Sequence, residues 1–159
     1  MISGVLTPND EGVNMPYIRI WIYLIWATKN RYPFLKKEIR PTIFKHIREN
    51  AHSKGIFLDF INGYVEHVHT LISLKGSQSI SKVAQALKGE SSNWINSNQL
   101  TPTKFGWQDE YIAISISDSA VNKVREYIKN QEEHHRVKSF AEEYQWFMNK
   151  YGFEIISRD

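Results

Sequence analysis

The chain of 159 residues contains no cysteine, which excludes disulfides and thiolate metal sites. Histidine, carboxylate and amide oxygen remain as possible ligands, and a hard divalent ion, Mg or Mn, is the expectation. No apolar run reaches the roughly 18 residues that a membrane span requires, so no membrane partner is expected. Residues 1–16 have neither the basic start nor the apolar stretch of a secretory signal, which makes the cytoplasm the default compartment. Repeats, low-complexity tracts and long Gly/Ser/Pro linkers are absent too. The chain therefore reads as one domain over 17–159, behind an N-terminal extension, 1–16, whose role the sequence does not give. Charge of one sign is also scarce: twenty Lys and Arg against seventeen Asp and Glu leave +3, too little to identify a polyanion binder. Two basic clusters stand out, Lys29 to Arg40 and Lys123 to Lys138. They fit two solvated helix faces or a groove that tracks phosphates.

With 42% hydrophobic and 23% charged residues, the chain can bury an ordinary core. Residues 17–28 are β-branched and aromatic, too apolar for a half-wet edge, and predict a central strand. Ile39, Ile43, Phe44 and Ile47 recur at helical spacing across 37–54, with Gly55 as the stop signal. Residues 56–61 and 67–74 predict a hairpin around a turn at 62–66. A second helix is predicted over 79–96, capped by Ser79. Period-two alternation predicts a fourth strand over 109–117. A third helix follows from Asp118 or Ser119 to about Arg136, then a short one over 140–151. This β-α-β-β-α-β order predicts an α+β, ferredoxin-like split βαβ fold. Its antiparallel sheet carries helices on one face and leaves the other open, with C-terminal helices in addition.

The most informative stretch is Glu66-His67-Val68-His69. On a strand, alternate side chains share a face, so His67 and His69 point the same way and form half of a divalent-metal site. Two hydrogen-bonded imidazoles without a metal are the plainer alternative. Glu66 is either a turn carboxylate or a group that orients an imidazole. Some sixty residues later Tyr127 and Gln131 stand four apart, one helical turn. Tyr127 alone is an ordinary core-edge aromatic. The Gln131 amide oxygen, however, can complete a His-His-Gln set, and a tyrosine facing a metal suggests phosphodiester chemistry. His134 and His135 read as cations at a helix C-terminus and are not assigned to the metal.

Together these stretches resemble the HUH single-strand DNA transposases of small bacterial insertion sequences, the IS200-like group, with their repeat-associated domesticated relatives. The resemblance rests on Ile25-Trp26-Ala27-Thr28-Lys29-Asn30-Arg31, the Glu66 to His69 motif, Leu87-Lys88-Gly89-Glu90-Ser91-Ser92, Phe105-Gly106-Trp107-Gln108, and Tyr127 through His135. It implies His67, His69 and Gln131 as metal ligands and Tyr127 as nucleophile. It implies single-stranded DNA with hairpin ends as substrate, cleaved and rejoined through a 5′-phosphotyrosine without a nucleotide cofactor. It also implies a homodimer whose tyrosine helices complete each other's sites, and association with the nucleoid when DNA is bound. Lys29, Arg31, Lys82 and Lys88 are candidates for phosphate contact, and Trp94, Trp107 and Tyr111 for base stacking. Two alternatives stay open. One is a non-catalytic, hairpin-binding nucleic-acid module; the other is a histidine-metal hydrolase of small phosphodiesters.

Overall fold

The computed structural model describes residues 16–152, so the extension noted above falls, save for Pro16, outside the described residues. Along the chain run β1 (Ile20–Ala27), α1 (Arg40–Ser53), β2 (Phe57–Gly63), β3 (His67–Leu74), α2 (Ile80–Ser97), β4 (Ile112–Ile116), α3 (Val121–Lys129), α4 (Gln131–Val137) and α5 (Phe140–Tyr151). The strands form one antiparallel sheet in the order β2-β3-β1-β4. The expected α+β order is present, with β1 and β3 in the centre.

β1 is apolar on both sides, and both sides are covered. Ile22, Leu24 and Trp26 pack with Val68 and Ile72 against Ile43 and Ile47 of α1 and Val83 and Leu87 of α2. The face that the ferredoxin-like expectation leaves open is closed by the C-terminal helices. There Trp21, Tyr23, Ile25 and Ile114 meet Val121 and Ile128 of α3 and Phe140 and Phe147 of α5. Leaving such large side chains in water would forfeit roughly 1.5–3 kcal/mol for each one exposed.

The predicted third helix is in fact two. It breaks at Asn130 (φ −94°, ψ 26°), between the tyrosine and the glutamine, after a short 3-10 turn at Asp118–Ala120. The break is capped from the sheet: Asn62 Nδ2 donates to the carbonyls of Ile128 (3.0 Å) and Lys129 (3.1 Å), which have no partner within α3. Arg125 adds a second anchor, a two-pronged pair with Asp59 (2.7 and 2.8 Å) beside the register shift of β2. Ser79 caps α2 as expected, accepting from the Lys82 N–H at 3.2 Å. The hairpin turn is tighter than predicted because β2 runs on to Gly63. A Cβ there would stand 2.2 Å from the His67 carbonyl oxygen, so only glycine lets the histidine strand restart so close.

Candidate metal centre and tyrosine site

Strand alternation places Val68, Thr70 and Ile72 toward α1 and α2, and His67 and His69 toward α3 to α5. Both imidazoles are completely buried. His67 pairs with Ala27, and His69 lies between Ile25 of β1 and Asn62 of β2, so both sit on the inner strand of the sheet.

Gln131, buried at the start of α4, brings its Oε1 to 3.1 Å from His67 Nε2, while its amide nitrogen donates to the Tyr127 carbonyl at 3.3 Å. His135, one turn further, has its Nε2 3.1 Å from the same oxygen. From α5 comes Glu143, buried between Phe140 and Phe147, with Oε1 3.0 Å from His69 Nε2 and 3.5 Å from the Nε2 atoms of His67 and His135. The other oxygen of Glu143 accepts the hydroxyl hydrogen of Tyr127. The Tyr127 ring lies 6.1 Å from that of His69, so one chain by itself brings nucleophile candidate and imidazoles together.

A surrounding layer holds these groups. Glu66 lies 2.7 Å from His67 Nδ1, and the Tyr23 hydroxyl bonds His69 Nδ1. Phe140 stacks on His67 with centroids 4.1 Å apart. Tyr64 stacks on His135, and the buried Arg40 lies over Tyr64 while its Nη2 bonds Glu132 at 3.0 Å. Burial, above all, pushes His69 down from the usual imidazole range to about 4, against the pull of Glu143. Burial also pushes Glu143 upward, but hydrogen bonds from His135, His69 and Tyr127 outweigh it and hold the carboxyl far below the usual carboxylate range. Tyr127 is raised well above an ordinary phenol by burial, by the Glu143 charge and by its hydrogen bond to Glu143.

The donor set fits a divalent cation. Ligands about 2.1 Å from a shared ion stand roughly 3.0–3.4 Å apart; the Gln131 contacts to His67 and His135, at 3.1 Å, and the Glu143 contact to His69, at 3.0 Å, lie in that range. A carboxylate accepts only, so the hydrogen on a neutral His67 ring belongs on Nδ1 toward Glu66, leaving a lone pair on Nε2. That lone pair faces two more acceptors, Gln131 Oε1 and Glu143 Oε1. A cation between them would satisfy all three. His67, His69, His135 and Glu143 offer ligand atoms all within 4.8 Å of one another.

The predicted residues His67, His69, Tyr127 and Gln131 thus converge, and Glu66 touches an imidazole as one of its two readings had it. Sequence reasoning set His135 aside and passed over Glu143. Each left a signal. His135 continues the four-residue spacing from Tyr127 through Gln131, and Glu143 stands on the apolar stripe of its helix where a carboxylate is out of place. Among the basic candidates, Arg31 lies close, 5.1 Å from the Phe140 ring, whereas Lys82 is exposed on α2, behind the sheet. Lys88 donates to the Asp109 carbonyl at 2.9 Å. Trp107 is core, bonded to Ser91 Oγ at 2.9 Å, and Trp94 stacks on His46; Tyr111 is 37% exposed.

A two-faced antiparallel sheet with a tyrosine beside buried imidazoles does not by itself fix a substrate, and comparison with known proteins supplies the family. The model of the family described as "Transposase IS200 like" matches residues 17–131, and the chain belongs to that family. It is 27% identical over 136 residues to the ISDra2 transposase TnpA of Deinococcus radiodurans, covering 82% of this chain and 97% of that one. A crystal structure of a candidate transposase from D. radiodurans R1 is similar at TM-score 0.59 and 26% identity, over 76% of this chain and 96% of that one. The structure of a REP-associated tyrosine transposase bound to a REP hairpin shares the fold at TM-score 0.58 and 15% identity, over 77% and 73% of the two chains. The family match ends at Gln131; His135 and Glu143 lie beyond it.

Proposed function

We propose that this chain cleaves and rejoins single-stranded DNA at insertion-sequence ends, with Tyr127 as nucleophile and His67, His69 and Gln131, joined by His135 and Glu143, holding a divalent ion. One observation carries the reading. A single carboxylate, Glu143, touches the imidazole set with one oxygen and the Tyr127 hydroxyl with the other, so nucleophile and cation site are one unit.

A bound divalent ion would polarise the scissile phosphate and offset charge developing on its oxygens. Three imidazoles favour Mn over Mg. Tyr127 is held poised by its hydrogen bond to Glu143, and that carboxylate is the acceptor in place for the phenol proton as the oxygen attacks phosphorus. The bond to the 3′ oxygen breaks, the leaving 3′-hydroxyl takes up a proton, and the 5′-phosphate stays esterified to Tyr127. Attack by another 3′-hydroxyl reverses the step on a new end, and no nucleotide cofactor is needed. Glu66 and Tyr23 fix the orientation of the two strand imidazoles throughout. The homodimer implied by the resemblance would hold two DNA ends together.

The test is a DNA hairpin with a labelled single-stranded flank, incubated with protein and Mn or Mg and resolved under denaturing conditions. A covalent protein-DNA species that depends on the ion supports the reading. A salt-sensitive complex with no covalent species would establish a hairpin-binding module instead.

A further inference from the structure

A cleft of about 240 Å³ opens where β1, the approach to β4 and α5 meet. Its apolar lining includes Ile25 and Ile112, on the sheet face that carries His67 and His69. Aromatic rings line it as well: Tyr111 before β4, and Phe140 and Tyr144 on α5. Its longer polar side chains are Arg31, Gln108 and the carboxylate Glu110. The Arg31 guanidinium carbon lies 5.1 Å from the Phe140 ring and 4.9 Å from that of Tyr144, so a flat cation borders the aromatic wall. Gln108 is oriented by the Asn30 backbone N–H, which donates to its Oε1 at 3.0 Å, so the amide nitrogen is the end left to donate. Lys88 steadies this rim from below the sheet, donating to the Asp109 carbonyl and reaching to 6.0 Å from the Tyr111 ring.

The cleft adjoins the metal centre. Phe140 lines it and also stacks on His67; Ile25 lines it and pairs across the sheet with His69. One strand spacing, about 4.8 Å, separates β1 from the histidine strand. A phosphate placed beside Tyr127 would therefore have a neighbouring nucleotide within reach of the aromatic walls. Unstacked bases are bound by such walls: flat rings and an arginine plane for the π-face, a few fixed polar groups for the edge.

We propose that this cleft receives one unpaired nucleobase of the strand whose phosphate is cut, adding base recognition to the catalytic site. The proposal rests on the DNA-processing reading above. Phe140, Tyr144 and Met148 of the lining come from α5, which lies beyond the stretch shared with the family.

The test uses hairpin DNA whose single-stranded flank carries one abasic site, moved along the flank one position at a time. Affinity is measured with chelator present, and adduct formation with Mn. One position should weaken binding by roughly 5- to 100-fold, the scale of a base stacked on aromatic side chains. Met148→Trp, which fills the cleft, and Tyr111→Ala, which removes a wall outside both apolar cores, should each weaken binding of intact DNA. In both variants the penalty of that abasic position should shrink toward one. Equal penalties along the flank, or a penalty undiminished in both variants, overturn the proposal while adduct formation leaves the transposase reading standing. Neither complex nor adduct with any DNA overturns both.

Discussion

Toward α1 and α2 the central strands present Ile22, Leu24, Trp26, Val68 and Ile72; toward α3 and α5 they present Trp21, Tyr23 and Ile25 together with His67 and His69. The first face is closed by aliphatic and aromatic packing; Thr70 Oγ1 there donates to the Leu24 carbonyl at 2.9 Å, while the buried Trp26 indole nitrogen has no hydrogen-bond partner among the described residues. The second face buries three imidazoles, an amide and a carboxylate around one point. Burying such groups costs several kcal/mol unless each finds a partner. Here they find one another, and three separate segments, β3, the α3–α4 pair and α5, supply them. The same strand can thus serve stability on one side and chemistry on the other, because its side chains alternate.

Substitutions on each face should break this division in opposite ways. The largest effect is expected from Tyr127→Phe, which should abolish the covalent DNA adduct while hairpin binding stays within about two-fold, since only the oxygen proposed to attack is lost. An adduct persisting in that variant would falsify the nucleophile assignment. Glu143→Gln keeps the shape and removes the charge; adduct formation should fall by about 10²- to 10⁴-fold, read as single-turnover rate. A rate unchanged there would mean that another group takes the phenol proton. Paired His67→Ala and His69→Ala changes should abolish Mn binding, seen by calorimetric titration of the ion.

On the apolar face Ile72→Ala should cost about 2–5 kcal/mol in denaturant melts and leave Mn affinity as it was. Loss of Mn binding in that variant would show that the two faces are not separable. Acid should act through the polar face. His69 stays neutral in the folded chain down to about pH 4, but takes up a proton near 6.5 when unfolded. Its contribution is complete above that range and is lost as pH falls toward 4, on the order of 3 kcal/mol. Glu143, held low, adds to the loss as pH falls through the ordinary carboxylate range. Melts of metal-free protein at pH 7.5, 5.5 and 4 measure this, and a flat profile would contradict the burial of a neutral imidazole. The smallest change, about 1 kcal/mol, is expected from Asn62→Ala, which uncaps the end of the tyrosine helix.

Much of this was open to reading from the chain. The alternation of β3 fixed which side the histidines share, and Ser79 and Gly55 marked helix ends where the structure has them. The four-residue interval from Tyr127 to Gln131 survives even though the helix breaks at Asn130 between them. Three things were not read. The helix break depends on Asn62, sixty-odd residues away in sequence, supplying the cap. The covering of the second face depends on α5 folding back over the sheet. Glu143 carried a local anomaly, a carboxylate on an apolar stripe, but nothing nearby named its partners.

Sequence by itself determined the four strands, most of the helices and the face that the two strand histidines share, because periodicity, propensity and side-chain chemistry are local properties. Tertiary structure alone decided that α5 closes that face, that Glu143 spans the imidazoles and Tyr127, and that one chain can bring the whole set together. Those outcomes depend on the packing of segments far apart along the backbone, which close only when buried polar groups find partners across the fold.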